Sequence, residues 1–184
     1  MAADKIYGEE EGLNIRKATP ADAPAIAAVH VESWKTTYEG IVPAAYLAQL
    51  SVSEKEQLWQ RGLTQPKHSI FVVEEEGNVC GFISGGKNRA TQGKEAEYEG
   101  EIYAIYLLKE AQGKGYGTKL VKALVDDFLR ERIHSMVVWV LADNPSRRFY
   151  ERLGGKKIAE EVIDIGGKKL AEWCYGWKNI KYFT

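Results

Sequence analysis

LLKEAQGKGYGTKL, Leu107 to Leu120, runs from an apolar strand end through three closely spaced glycines and straight into a helical pattern. A glycine inside a helix costs about 1 kcal/mol relative to alanine, so Gly113, Gly115 and Gly117 need a reason. A tight turn accounts for one of them but not for three ahead of a long, well-patterned helix. A nucleotide P-loop requires G-x-x-x-x-G-K-[ST], whereas Gly117 is followed by Thr118-Lys119. A dinucleotide fingerprint requires G-x-G-x-x-G near the first strand of a βαβ unit, and the spacing here is G-x-G-x-G. What remains is a helix N-terminus whose backbone amides are bared to an anion such as a pyrophosphate. Glycine suits it because no Cβ keeps the phosphate away.

Working outward, EAEYEGEIYAIYLL, residues 95–108, reads as a long strand leading into the glycines. After them Leu120, Leu124 and Phe128 recur at i, i+4, i+8 beside Val121 and Val125, which predicts a helix ending near Ile133. MVVWVLA, 136–142, is apolar on both faces, as a central buried strand is. Asn144-Pro145 provides a cap and a first-turn proline for a short helix carrying Phe149 and Leu153, ended by Gly154-Gly155. KKIAEEVIDI and KKLAEWCYGW, joined by Gly166-Gly167, form a hairpin.

Upstream, LNIRK, 13–17, is a short strand, followed by a helix capped at Thr19 or Asp22 and patterned through Ile26, Val29, Ser33, Trp34 and Thr37 to Tyr38. Pro43 to Leu63 holds two short helices, the second capped by Ser51 or Ser53, and 69–86 is a hairpin around Glu-Gly-Asn. The order predicts an α/β fold in layers, a mixed sheet with helices packed on it.

The chain has 184 residues, 45% hydrophobic and 28% charged, enough for one domain with a sizeable core. Residues 13–180 are expected to form it, behind an N-terminal tail of residues 1–12. A formal charge of -1 provides no basic field for nucleic acid. Cys80 and Cys174 lie far apart with no Cys or His at metal-ligand spacing, so neither a metal nor a disulfide framework is expected. No apolar run approaches the roughly 20 residues of a membrane helix, and MAADKIYGEEEGL has no signal-peptide core. A cytoplasmic protein, off the membrane, is the expectation.

Gln112-Gly113-Lys114-Gly115-Tyr116-Gly117 resembles the Q/R-x-x-G-x-G/A acetyl-CoA motif of the GNAT superfamily of N-acetyltransferases. EIYAIYLL before it, MVVWVLA after it, and Asn144 followed by Phe149-Tyr150-Glu151-Arg152-Leu153-Gly154 are similar to that family's later blocks, in the same order. The opening strand and helix and WKTTYEGIVPAAYLAQL resemble its N-terminal part, so the likeness spans about residues 13–178. In one departure Gly155 stands where the family usually has Phe, which removes an aromatic. The resemblance implies a mostly antiparallel central sheet flanked by helices with a C-terminal β-hairpin, acetyl-CoA as cofactor, and acetyl transfer to an amine.

That reaction sets three tasks, because an alkyl amine with a pKa of about 10.4 is protonated at neutral pH. A proton must leave the amine, the thioester carbonyl must be polarised, and the departing thiolate must be protonated. By resemblance, the strand end Ile105-Tyr106-Leu107 lies along the pantetheine arm, and the Leu107 N–H polarises the carbonyl. Gln112, Gly113, Lys114, Gly115, Tyr116, Gly117 and Thr118 surround the pyrophosphate, Lys114 with its charge and Thr118 with its hydroxyl. Asn144 and Ser146 hold the far side of the arm.

Tyr150 falls where many members place a tyrosine beside the sulfur, and a phenol of pKa about 10 can hand over its proton. The alternative is a core tyrosine hydrogen-bonded inside. Glu95, Glu97, Glu99 and Glu101 occupy alternate residues, so in a regular strand they share a face with Tyr103, Ile105 and Leu107. Glu101 is the candidate general base. A solvated charge run is the competing reading for all of them, Glu101 included, and the favoured one for Glu95 and Glu97.

Trp34, Tyr38, Tyr103 and Trp139 are either walls of the acceptor site or plain core. His30, His68 and His134 have no nearby Ser or Cys and read as structural or surface residues; Cys80 reads as a small buried hydrophobe. The acceptor is expected to be a small-molecule or peptide amine, with the acidic strand mouth favouring a cation such as a polyamine. A second class stays open, an acyl-CoA-binding regulatory module that does not turn over. A homodimer through the edge of the final hairpin is compatible with both.

Overall fold

In a computed structural model that describes residues 12–183, the chain runs β1 (Leu13–Lys17), α1 (Ala23–Thr37), α2 (Ala44–Ala48), α3 (Val52–Leu63), β2 (His68–Glu75), β3 (Asn78–Lys87) and β4 (Gly100–Leu107). It continues with α4 (Tyr116–Arg130), β5 (Met136–Leu141), α5 (Arg147–Arg152), β6 (Lys156–Ile165) and β7 (Lys168–Trp177). The expected tail, apart from Gly12, lies outside the described residues. The strands form one seven-stranded sheet, ordered β1-β2-β3-β4-β5-β7-β6, antiparallel at every seam except β4–β5. This is the layered mixed α/β architecture read from the sequence.

Alternation along the strands clothes both faces of the sheet. Phe71, Val73, Ile83, Ile102, Met136 and Val138 pack under the Leu120, Val121, Leu124 and Phe128 stripe of α4. Ile70, Val72 and Phe82 turn the other way, onto Ile26, Ala27 and Val29 of α1 and Trp59 of α3. Ser51 caps α3, its hydroxyl accepting from the Glu54 amide at 3.3 Å. Among the described residues no helix is long and apolar enough to cross a membrane.

The strand expected over 95–108 begins only at Gly100. Glu95–Glu97 is a 3-10 turn, held by the Asn88 side-chain amide donating to the carbonyls of Glu95 and Tyr98 at 2.7 and 2.9 Å. The four glutamates therefore do not share one face. Glu97 pairs with Lys178, Glu99 accepts the His134 amide, and Glu101 alone is buried.

A bulge follows at once: Ile102 opposes Gly85 and Ala104 opposes Ser84, leaving Tyr103 as the extra residue. Its consequence is a change of face. Ile102, Ile105 and Leu107 pack toward α4, whereas Ala104 and Tyr106 pack toward α1.

The gap left by Gly155 is filled from elsewhere. A Cβ there would lie 2.6 Å from the ring of Trp177, whose indole N–H donates to the Leu153 carbonyl at 2.8 Å. The aromatic that the sequence lacks after α5 is supplied by β7, so the packing is not lost.

Candidate active site

β4 and β5 pair only at Gly100–Met136, Glu101–Val137 and Ile102–Val138; beyond the bulge they part. The Leu108 amide donates to the Cys80 carbonyl on β3, so by alternation the Leu107 amide points the opposite way, into the gap. The Leu107 carbonyl is taken by the Gln112 side-chain amide at 3.1 Å. A cavity of about 500 Å³ occupies this gap and reaches the glycine loop.

The three glycines do two different jobs. Gly113 and Gly115 have φ of 76° and 81° and face open space where a Cβ would stand. Only glycine takes that left-handed conformation without strain, and here it also leaves the backbone bare. A Cβ on Gly117 would instead meet the Phe149 ring at 3.2 Å, so this glycine lets α4 approach α5. The first hydrogen bond of α4 is from the Lys119 amide to the Gly115 carbonyl, which leaves the Gly117 and Thr118 amides with no acceptor in the helix.

A second cavity of about 700 Å³ meets the first at Tyr38, Tyr103, Tyr106, Trp139 and Val140. Its floor is the α1 face of the sheet, carrying Glu101 from β4, Trp139 and Leu141 from β5, Glu172 from β7 and Glu161 from β6. Trp34 and Tyr38 close one side, their rings 4.7 Å apart, and Arg89 closes another. With Glu95 from the turn before β4, four carboxylates among the described residues line this cavity beside one guanidinium.

The FR47-like protein family model matches residues 79–163. The chain is 38% identical over 169 residues to the uncharacterised N-acetyltransferase YuaI of Bacillus subtilis (strain 168), covering 91% of this chain and 94% of that protein. The chain belongs to the GNAT superfamily of N-acetyltransferases. Over 163 residues it is also 30% identical to the L-methionine sulfoximine/L-methionine sulfone acetyltransferase of Salmonella typhimurium (strain LT2), covering 88% of this chain and 89% of that one. The fold matches the PaiA N-acetyltransferase of Thermoplasma acidophilum solved in complex with coenzyme A, with a TM-score of 0.68 at 23% identity over 87% of this chain and 97% of that one. That structure holds coenzyme A, and the bare glycine loop and unpaired β4 edge of this chain fit such a ligand.

Of the residues expected around the GNAT cofactor, Ile105, Tyr106, Leu107, Gln112, Gly113, Gly115, Tyr116, Gly117, Thr118, Asn144 and Ser146 all line the first cavity. Lys114 does not. Its ammonium is 2.7 Å from Glu75 at the end of β2, and the Tyr116 hydroxyl donates to the same carboxylate at 2.7 Å, so the pair anchors the loop to the sheet. Asn144 is buried; its carbonyl oxygen accepts the Ser146 amide at 2.9 Å and its NH₂ reaches the Tyr38 hydroxyl at 3.5 Å. Arg152, not singled out by sequence, also lines this cavity.

Tyr150 is 5% exposed, lines the first cavity, and has a phenol pushed well up by burial, so it holds its proton. Burial likewise raises Tyr38 to about 12 and Tyr106 well above the ordinary phenol range. Tyr38, Tyr103 and Trp139 line both cavities and Trp34 only the second.

Glu101 lies in the second cavity, 5% exposed and gripped by Arg89. The guanidinium donates to both its oxygens, the Arg89 amide adds a third bond at 3.1 Å, and the Arg89 side chain stacks 4.3 Å from the Tyr103 ring centre.

Sequence reasoning missed Glu172. Burial, with Glu161 and Glu101 adding repulsion, pushes its carboxyl up to about 7. The available signal was its register, between Leu170 and Cys174 on the inward-facing positions of β7.

No histidine among the described residues lines either cavity. His30 is buried, stacks on Tyr106 at 5.3 Å, accepts from the Trp59 indole at 3.1 Å and is lowered to about 4 by burial.

Proposed function

We propose that residues 13–180 act as one acetyltransferase domain that acetylates a primary amine of a small, cationic molecule, the amine arriving through the second cavity. The observation that carries this reading is the continuity of the two cavities through the β4–β5 gap, with a proton-holding tyrosine on one side and carboxylates on the other. When bound, acetyl-CoA supplies the acetyl group as a thioester.

In this reading the Leu107 amide, aimed into the gap, donates to the carbonyl oxygen and stabilises the charge that grows there. Gly113, Gly115 and the amides that open α4 hold the pyrophosphate, and Asn144 and Ser146 border the arm. Tyr150 donates its proton to the departing sulfur. Trp34, Tyr38, Tyr103 and Trp139 wall the acceptor, with Glu101, Glu161 and Glu172 favouring a cation over an anion.

The test is release of free CoA thiol when the protein and acetyl-CoA meet a panel of monoamines, diamines, polyamines, amino acids and short peptides. Turnover is expected with cationic amines that lack a carboxylate. Preference for free amino acids would overturn the acceptor class, and tight CoA binding with no thiol release from any amine would make the chain a sensor instead.

A further inference from the structure

A buried carboxylate, Glu101, and a half-buried one, Glu172, face the acceptor cavity, and their company differs. Glu101 is already committed, with Arg89 bonded to both oxygens and its Arg89 amide as a third donor. Among the described residues Glu172 has no such partner, and nothing there that acts on it favours its charged form. It stands opposite Leu141 on β5 and Glu161 on β6 and lines the second cavity, on the same sheet face as Glu101 and within electrostatic reach of Tyr38 and Tyr106, which line both cavities.

We propose that Glu172 is the general base, taking the proton that the acceptor's ammonium must lose, while the Glu101–Arg89 pair serves as a fixed wall. The proposal rests on the acetyl-transfer reading above.

The charged and titratable groups that face Glu172 support the role. Glu161 from β6 and Glu101 from β4 repel its charge, and the phenols of Tyr38 and Tyr106 stay neutral beside it. Arg89, the cation of the cavity, is spent on Glu101. Burial and repulsion place the Glu172 carboxyl near 7, between an ordinary carboxylate and an ammonium, where a base is ionised often enough at neutral pH and still basic enough to work.

The proton balance closes. Between ammonium and amide the nitrogen sheds two protons. One goes to a Glu172 oxygen before attack and thence to water through the cavity mouth. The other leaves as the C–N bond forms and the C–S bond breaks, and replaces the proton that Tyr150 gives to sulfur.

The experiment compares the pH dependence of kcat/KM for the wild type, Glu172→Gln, Glu172→Asp and Glu101→Gln with the best amine of the panel, and measures coenzyme A affinity by calorimetry alongside. The wild type is expected to lose activity below a midpoint near 7. Glu172→Gln should lower turnover by about a hundredfold or more and abolish that acidic limb with coenzyme A affinity unmoved, Glu172→Asp should restore part of both, and Glu101→Gln should retain the limb, moved to lower pH by the loss of a repelling charge. A Glu172→Gln protein that keeps the limb, or stays within about threefold of the wild-type rate, overturns the proposal.

A readout independent of turnover is the infrared carboxylate titration of ligand-free wild type minus Glu172→Gln. A band titrating near 7 supports the assignment, and one in the ordinary glutamate range overturns it. A wild type that acetylates no amine would bring down the acetyl-transfer reading and this role together, whereas an active wild type matched by Glu172→Gln removes this role alone.

Discussion

The two ends of the cleft are built from different materials. The cofactor end is backbone: a β4 edge without a partner beyond Ile102, two left-handed glycines, and the first amides of α4, all within residues 103–118. The acceptor end is side chains, drawn from α1, the loop after β3, and four strands, and its chemistry depends on which charges neutralise which. A binding mode made of main chain tolerates change in most side chains but not at the glycines. One made of side chains can change its substrate with a single substitution.

The largest expected effect tests where the two ends meet. Tyr150→Phe keeps the ring contacts with Phe149, Tyr175 and Trp177, at 5.4 to 6.4 Å, and removes only the hydroxyl. Turnover should fall by about 10²- to 10⁴-fold, the usual contribution of a general acid, with coenzyme A affinity changed by less than about twofold. An unchanged turnover would return Tyr150 to the role of a core tyrosine.

Next comes the charge pairing at the acceptor end. Arg89→Gln leaves the 5% exposed Glu101 without its cation and should cost about 2–3 kcal/mol of stability. Chemical denaturation measures it, beside a double variant that also carries Glu101→Gln and so leaves no charge uncompensated. A double variant as unstable as Arg89→Gln alone would mean that packing on Tyr103, rather than the ion pair, is what Arg89 provides.

At the cofactor end Gly115→Ala and Gly117→Ala should separate. The first forces a Cβ into a φ of 81°, costing about 1–2 kcal/mol and weakening coenzyme A binding by about tenfold. The second pushes on Phe149 at 3.2 Å and should register mainly as a lower melting temperature. Equal losses of affinity in both would undo the division of labour among the glycines.

The cofactor end was legible in the sequence because its determinants are contiguous. Three glycines, the apolar strand before them and the stripe of α4 after them occupy one window, and local pattern decides their structure. The acceptor end was legible only as a list of aromatics. The run Glu95, Glu97, Glu99, Glu101 reads as strand by alternation, yet the Asn88 side chain holds Glu95–Glu97 in a turn and the Tyr103 bulge carries no signature of its own. Lys114 reads as a phosphate ligand by position, and it is Glu75, distant in sequence, that claims it. Glu172 owes its character first to burial, then to Glu161 across the final hairpin and to Glu101 on β4, two strands away, which only the sheet order brings near. A carboxylate at an inward position of a buried strand was nonetheless visible, and such a misfit is a reason to suspect function.

That misfit has a measurable cost, the smallest of these effects. The Glu172 carboxyl titrates at its usual 4.5 in the unfolded chain and near 7 in the folded one, so between those values the folded protein holds a proton that the unfolded chain has lost. Stability from this residue therefore falls as pH rises from 4.5 to 7 and stays low above it. Glu172→Gln has no proton to lose, and its advantage over the wild type should be absent at pH 4 and level off above pH 7. Because the side chain is only half-buried and screened by solvent, the plateau is about 1 kcal/mol, a rise of about 2–4 °C in Tm. Melting curves of the two proteins from pH 4 to 8.5 measure it. A variant less stable than the wild type at pH 8 would mean that the Glu172 charge is stabilised by a partner in the cavity, and the contrast with Glu101 would vanish.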